Sequence, residues 1–249
     1  MTAPAVRAVA SRLALPPLDG AFSEDEVAAL PEPVRRYLLA AIGPGAALAR
    51  AARLAMRGRI KLGARWLPFR ATETLAPHEG FVWAGRVAGL VSGSDRYADG
   101  EGRLDWKLLG LVRVAHGEGA DVARSAAGRA AGEAVWLPTT LLPRFGVRWD
   151  ATDDHHLTAA YRVGDLDVVV DLEIDGTGAL RRVTYDRWGD PDQSGEFGVH
   201  GFGLLVTGQR RFGDLTIPAE GRVGWFPGTQ RWDEGEFFRY RITRLDPVT

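Results

Sequence analysis

The chain of 249 residues contains no cysteine. Disulfides, thiolate nucleophiles, and zinc or iron–sulfur sites held by cysteine are therefore excluded. An excess of one charge is also missing, because the net charge is -1, so we expect no nucleic-acid partner. Lysine is scarce: only Lys61 and Lys107 are lysines among 31 basic residues. We attribute this bias to a GC-rich genome rather than to a binding surface.

Long apolar runs are absent as well. No stretch approaches the roughly 20 apolar residues of a spanning helix, so we expect no membrane span. Arginines interrupt the apolar residues of 1–15, which lack the continuous apolar core of a signal peptide. Val6, Val9 and Leu13 lie on one face of a short helix, which we expect to dock on the protein rather than on a membrane. Together with the lack of cysteine, these features predict a cytoplasmic protein.

The residues that are present predict a globular chain. Hydrophobic residues make up 45% and charged residues 25%, which argues against wholesale disorder. A chain of this length suits a single domain, spanning 1–249, and buries a sizeable core.

Strict alternation in residues 166–174 is the clearest structural signal. Val168, Val170 and Leu172 fall on one side, and Asp167 and Asp171 fall on the other. A period of two indicates a strand with one buried and one wet face, which is typical of antiparallel sheets. The fold class predicted is therefore mainly β with some helix (α+β), built on a strongly curved antiparallel sheet.

The chain divides into four parts. They are a helical entry segment at 1–45, a first β block at 50–116, a helical insert at 120–142 and a second β block at 147–249. We count about ten strands, too many for a flat open sheet, so we expect an incomplete or complete barrel. The insert is rich in alanine, which allows close approach to a sheet, and we predict that it lies on the concave side.

Three local signals refine this division. Ser23 and Glu26 are three residues apart and predict a capping box at the start of the entry helix. Asp121 is a plausible N-cap of the insert. Gly110 is expected to bend or bulge a strand that precedes residues 111–115.

Several short motifs resemble a bacterial family of unknown function, over a region from about residue 30 to the end. They are the runs 30–38, 80–83, 95–97 with Gly100 and Gly102, 107–111, and Trp136-Leu137-Pro138. The resemblance implies no particular reaction. By architecture the chain also resembles the lipoprotein-carrier fold, an incomplete barrel whose members shelter acyl chains and include one cofactor-free enzyme. Fold alone does not imply function.

One cluster, Asp153-Asp154-His155-His156, has the residue types of a metal site. Neighbours along a strand point to opposite faces, so all four side chains cannot reach one ion. A site needs three or four convergent ligands, and a solvated turn or strand edge is the better interpretation. We expect no metal and no other cofactor.

Aromatic residues are the best candidates for a binding site. Plain core packing explains each one alone, but together they could line an apolar cavity whose N–H and O–H groups orient a ligand. They are Trp83, Tyr97, Trp106, Trp136 and Trp149. Arg182 and Asp186 share one face of a strand and join these candidates if that face points inward, because buried charges need partners. A solvated outer face is the alternative.

No catalytic motif is recognisable. The glycine-rich run 195–203 lacks the Gly-Lys-Ser/Thr of a phosphate loop and is not placed before a helix. Three functions stay open. The protein binds a small apolar or amphipathic molecule in its curved sheet, or it is a cofactor-independent enzyme that uses the same cavity. Alternatively, its concave face is filled by its own helices and it is an interaction protein.

Overall fold

A computed structural model describes residues 3–248, and half of them lie in one antiparallel sheet. Its thirteen strands are β3 (Ala52–Leu62), β4 (Arg65–Ala76), β5 (Gly80–Val87), β6 (Val91–Ala98), β7 (Glu101–Leu108), β8 (Val112–Glu118), β9 (Arg148–Ala151), β10 (His156–Val163), β11 (Leu166–Ile174), β12 (Leu180–Gly189), β13 (Gly198–Phe212), β14 (Leu215–Trp225) and β15 (Glu236–Pro247). A small second sheet pairs β1 (Leu18–Ala21) with β2 (Ala47–Leu48).

Helices fill the remaining segments. They are α1 (Ala3–Leu13), α2 (Glu32–Ala41), α3 (Ala120–Glu133) and the short α4 (Trp232–Gly235). Turns of 3-10 helix occupy Glu24–Val27, Ala134–Trp136, Pro138–Leu141 and Pro143–Phe145. The helical insert at 120–142 is thus one α-helix followed by two turns of 3-10 helix, and a third such turn comes directly after it.

The main sheet consists of two meanders joined at its centre. The strands β3 to β8 run outward to one edge, and β9 to β15 run from the other edge back to the centre, where β15 pairs with β3. In the described part of the chain, β8 pairs only with β7 and β9 only with β10, so the sheet is open. Helix α3 connects the two edges and contacts both β7 and β12, which requires a strongly curved sheet. The predicted incomplete barrel is confirmed.

The predicted alternation is present in the sheet. In β11, Val170, Leu172 and Ile174 are buried against the concave core, whereas Asp167 and Asp171 are exposed on the convex face. The main core lies between the concave face, α3 with its following turns, and α2. Burial of these apolar side chains is the main source of stability in a chain without disulfides.

Small residues let α3 lie almost on the backbone of the sheet. Ala127, Ala130 and Ala131 are fully or nearly fully buried, and the Tyr161 hydroxyl donates a 2.7 Å hydrogen bond to the Ala131 carbonyl. The closest approach is at β7, where a Cβ added to Gly102 would lie 2.5 Å from the Ala123 Cα. The concave position expected for the insert is confirmed.

Replacing Gly102 with alanine is expected to lower the free energy of unfolding by about 1–3 kcal/mol, because the added methyl group forces α3 away from β7. Urea denaturation measures this loss. Gly176→Ala is the matched control, since an added Cβ there meets no heavy atom within 4 Å. Equal stability of the two variants would show that α3 is not packed this closely.

The entry segment differs from its prediction. Ser23 caps only the 3-10 turn Glu24–Val27, with its hydroxyl 3.4 Å from the Asp25 amide, and α2 begins after Pro31. The predicted N-cap at Ser23 is present, but Glu26 does not complete the capping box, because its carboxylate binds Arg144. Pro31 and Pro33 separate this short turn from α2, as expected. Helix α1 packs on the convex face, where Leu13 is buried beside Val82.

Two other local predictions were wrong. Gly110 does not bulge a strand; it forms a hairpin turn with Leu109, and both residues have positive φ (73° and 51°). Asp121 is not the N-cap of α3, since Gly119 holds that position. The Asp121 carboxylate instead accepts a 2.8 Å hydrogen bond from Trp188 Nε1, which ties the start of α3 to β12.

Candidate functional site

A cavity of about 540 Å³ lies between α3 and the concave face of the sheet. Its walls come from both meanders and from Trp136 in the turn that follows α3. Leu62 and Val114 line it and are themselves about half exposed, so the cavity opens at the sheet end where β3 and β8 present these residues. The concave face is thus only partly filled by α3.

Aromatic rings form much of the cavity wall. They are Trp83, Trp106, Trp136, Phe202, Phe237 and Phe238. The Trp83 and Trp106 rings are 5.5 Å apart and tilted, and Trp83 meets Phe238 edge-on at 6.1 Å. Trp136 Nε1 donates a 3.1 Å hydrogen bond to the Tyr240 hydroxyl. Because this N–H is already bound, Trp136 presents an apolar surface to the cavity.

Two of the predicted aromatics do not line the cavity. Tyr97 of β6 belongs to the main core and is only 4% exposed. Trp149 donates a 2.8 Å hydrogen bond to the Leu141 carbonyl and packs on Tyr37, with ring centroids 5.9 Å apart. Both residues hold the core together rather than face the opening.

Arg182 and Asp186 lie on the convex face of β12. Arg182 Nε donates a 2.8 Å hydrogen bond to the Glu173 carboxylate, and Asp186 is exposed. The strand turns its other face inward and places Val183, Tyr185 and Arg187 against the cavity. Arg182 and Asp186 therefore lie on a solvated outer face, which was the alternative to a position in the cavity.

An ionic cluster borders the cavity around Arg129, which projects from α3. Arg129 Nε donates a 2.7 Å hydrogen bond to Glu133 Oε1, and Nη1 donates one of 3.2 Å to Asp95 Oδ2. Nη2 lies 3.6 Å from Glu73 Oε1. The guanidinium also lies over the Phe81 ring, 4.3 Å from its centroid. One cation thus bridges three carboxyl groups from β4, β6 and α3.

Burial favours the protonated form of one of these carboxyl groups. Desolvation raises the pKa of Glu73 well above the ordinary value of 4.5, and repulsion from Glu133 raises it further, against attraction by Arg129. Among the described residues, neither oxygen of the buried Glu73 side chain has a hydrogen-bond partner. A buried carboxyl group without a donor is less costly when it is neutral, so we assign a proton to Glu73.

Arg129 remains fully charged in this setting. Burial lowers its pKa, but attraction by Glu133, Glu73 and Asp95 raises it more, so the net shift is upward. Trp106 Nε1 donates a 2.7 Å hydrogen bond to Asp95 Oδ1 and so connects the aromatic wall to the ionic cluster. The cavity is therefore apolar on most sides and charged along the α3 side.

Arg187 is the second cation of the cavity. Its Nε donates a 3.1 Å hydrogen bond to the Ser125 carbonyl, and its guanidinium lies over Phe202 and Trp225, 4.4 Å and 5.3 Å from the ring centroids. In the described residues no carboxylate oxygen lies within 4 Å of it.

Sequence reasoning missed two charged residues that face the interior, Glu73 and Arg187, although each carries a signal. Glu73 follows Phe69 and Ala71 at inward positions of β4, so a carboxylate occupies an apolar face. Arg187 follows Val183 and Tyr185 in the same way on β12. A charged residue at a strand position that alternation assigns to the buried face indicates a buried ionisable group.

The residues Asp153 to His156 form a solvated turn that leads into β10, whose first residue is His156. The Asp153 carboxylate accepts hydrogen bonds from the His155 and His156 amides at 2.8 and 2.9 Å, and His156 Nδ1 lies 2.9 Å away. Residues 3–248 contain no group of three or more His, Asp or Glu side chains placed to hold one metal ion.

No helix formed by residues 3–248 has the length and apolarity needed to cross a bilayer. The location of the protein in the cell stays a prediction.

Comparison with known proteins gives a family but no function. No curated protein matches the chain. Similar solved structures include a DUF1329 family protein from Desulfovibrio piger (9% identity, 98% of this chain and 92% of that chain, TM-score 0.43). They also include a LolA superfamily protein from Nitrosomonas europaea (8% identity, 86% and 91%, TM-score 0.43).

The family match covers most of the described sheet. A model of a family of unknown function (DUF6544) matches residues 20–237, which contain all the motifs on which the sequence resemblance rests. The chain belongs to this family of unknown function.

Proposed function

We propose that this protein binds a small apolar or amphipathic molecule in the cavity between α3 and the sheet. The observation that carries the proposal is an apolar cavity of about 540 Å³, walled by tryptophan and phenylalanine, with an opening at Leu62 and Val114. Ligand sites typically measure roughly 300–1,000 Å³ and combine apolar walls with a few polar groups, and this cavity meets both criteria. A fully packed concave face, which the interaction-protein hypothesis requires, would leave no such space.

Hydrophobic burial predicts how affinity should depend on ligand length. Each buried methylene contributes about 0.8 kcal/mol, which corresponds to roughly a fourfold tighter dissociation constant. For straight-chain primary alcohols, affinity should therefore rise with each carbon until the chain fills the cavity, and then stop rising. A surface site without a defined depth gives no such limit.

The test is a titration of the protein with primary alcohols of increasing length, followed by tryptophan emission. Ala115 lines the cavity from the exposed edge strand β8, so Ala115→Phe fills space near the opening with little demand on the fold. We expect this variant to weaken alcohol binding at least tenfold. Val112→Phe is the matched control, because Val112 lies on the same strand, is 61% exposed and does not line the cavity.

Each possible outcome of this titration either supports or contradicts the proposal. Binding that both variants retain equally places the ligand elsewhere, and an absence of binding by any alcohol contradicts the proposal. Retention in Val112→Phe with loss in Ala115→Phe supports it.

One observation favours a second candidate, a cofactor-independent enzyme. The Glu133 carboxyl lines the cavity, and burial raises the pKa of the neighbouring Glu73 well above its ordinary value, so an acid lies behind a carboxylate of the cavity wall. Such a pair suits proton transfer. Mass spectrometry of the ligand after incubation separates the two candidates: an unchanged mass indicates binding alone, and a new product indicates catalysis.

A further inference from the structure

The two cavity arginines differ in how their charges are satisfied. Arg129 contacts Glu133, Asp95 and Glu73 within 2.7–3.6 Å. Arg187 has no carboxylate within 4 Å among the residues described, and its only hydrogen bond there uses Nε, toward the Ser125 carbonyl. Its terminal Nη atoms are thus available to a molecule in the cavity that Arg187 lines.

The surroundings of Arg187 hold its guanidinium in place but provide no close counter-ion. Phe202 and Trp225 hold the guanidinium plane by cation–π contact. Burial lowers the pKa of Arg187, and Arg129 lowers it further, whereas Tyr185, Glu133 and Asp95 raise it from a distance. Arginine nevertheless stays protonated in proteins. A cation beside an apolar space without a close counter-ion is costly, and an anion that enters the space relieves that cost.

The carboxylates of the cavity limit which anion fits beside Arg187. Glu133 and Asp95 both line the cavity. A dianionic phosphate would meet twice the repulsion from them that a singly charged carboxylate meets. A singly charged carboxylate also matches the two parallel N–H donors of one guanidinium edge.

We propose that Arg187 binds the carboxylate of an amphipathic carboxylic acid whose apolar chain occupies the aromatic part of the cavity. This inference rests on the proposed function and specifies its ligand class. The carboxylate contacts the Nη atoms of Arg187, and the chain extends along Trp83 and Trp106 toward the opening at Leu62.

The experiment compares octanoate with 1-octanol at pH 8, where the acid is ionised and the alcohol is neutral. Charge-assisted hydrogen bonds at a sheltered site predict that the wild-type protein binds octanoate about 10- to 100-fold more tightly. In Arg187→Gln this preference should disappear, because the variant lacks the cation that distinguishes the ionised acid from the neutral alcohol. Arg182→Gln is the matched control, since Arg182 is on the same strand but faces outward, and it should keep the full preference.

Circular dichroism establishes that each variant is folded. If Arg187→Gln does not fold, Arg187→Lys keeps the charge but loses the two-pronged contact, and it should reduce the preference for octanoate without abolishing it. The inference is overturned if the wild-type protein binds octanol but shows no preference for octanoate, or if Arg187→Gln retains the preference. If neither molecule binds, the proposed function fails together with it.

Discussion

Replacing Arg129 with methionine should lower the free energy of unfolding by about 3–5 kcal/mol, the usual cost of removing one partner from a buried ionic group. The substitution leaves Glu73, Asp95 and Glu133 facing one another without the cation that bridges them. Urea denaturation, followed by far-UV circular dichroism, measures the loss. It is a large fraction of the roughly 5–15 kcal/mol of stability that is typical of a domain.

Methionine is chosen so that the result reports on charge. Its unbranched side chain retains apolar contact with Phe81, over which the guanidinium lies at 4.3 Å. A truncation to alanine would add a cavity to the electrostatic loss.

Arg182→Met provides the control for the same chemical change. Arg182 and Glu173 form an ion pair in which both side chains are about a third exposed, so its loss should cost no more than about 1 kcal/mol. If the two variants lose the same stability, the Arg129 cluster is screened like a surface pair and does not hold α3 to the sheet.

The sequence predicts the sheet well because alternation is a local signal. The inward and outward positions of β11 can be read from residues 166–174, and the alanines of α3 predict its close packing on the sheet. The sequence predicts about ten strands and residues 3–248 form fifteen, and this difference also has a local cause. Ala88 and Leu109 have positive φ in tight turns, a conformation that side chains of this kind rarely adopt, so their turns leave little trace in the sequence.

The ionic cluster could not be predicted because its members meet only through the curvature of the sheet. Glu73 and Asp95 lie on β4 and β6, and Arg129 follows on a helix that crosses the concave face. Arg182 and Arg187, on one strand, also show what the sequence alone leaves open. Alternation shows that they lie on opposite faces, but the apolar neighbours Val183 and Tyr185 decide which face is inward.

Glu73→Gln should make stability less dependent on pH. In the wild-type protein the folded-state pKa of Glu73 is raised above 4.5, chiefly by burial, so the folded state binds more protons than the unfolded state above that pH. Stability from this group is therefore present at low pH and lost as pH rises from about 4.5 toward the folded-state pKa. Within that window the loss is about 1.4 kcal/mol per pH unit.

The amide of glutamine imitates the protonated carboxyl, because its NH₂ group can donate to Glu133 at any pH. We therefore expect Glu73→Gln to match the wild-type protein near pH 4.5 and to exceed its stability by a growing margin as pH rises from there toward the folded-state pKa of Glu73. Urea denaturation at several pH values gives both curves. Glu220→Gln is the control, since Glu220 pairs with Arg241 on the convex face with 40% of its side chain exposed, and its curve should run parallel to the wild type. A parallel curve for Glu73→Gln as well would mean that Glu73 is ionised in the folded protein, and the acid–carboxylate pair beside the cavity would not exist.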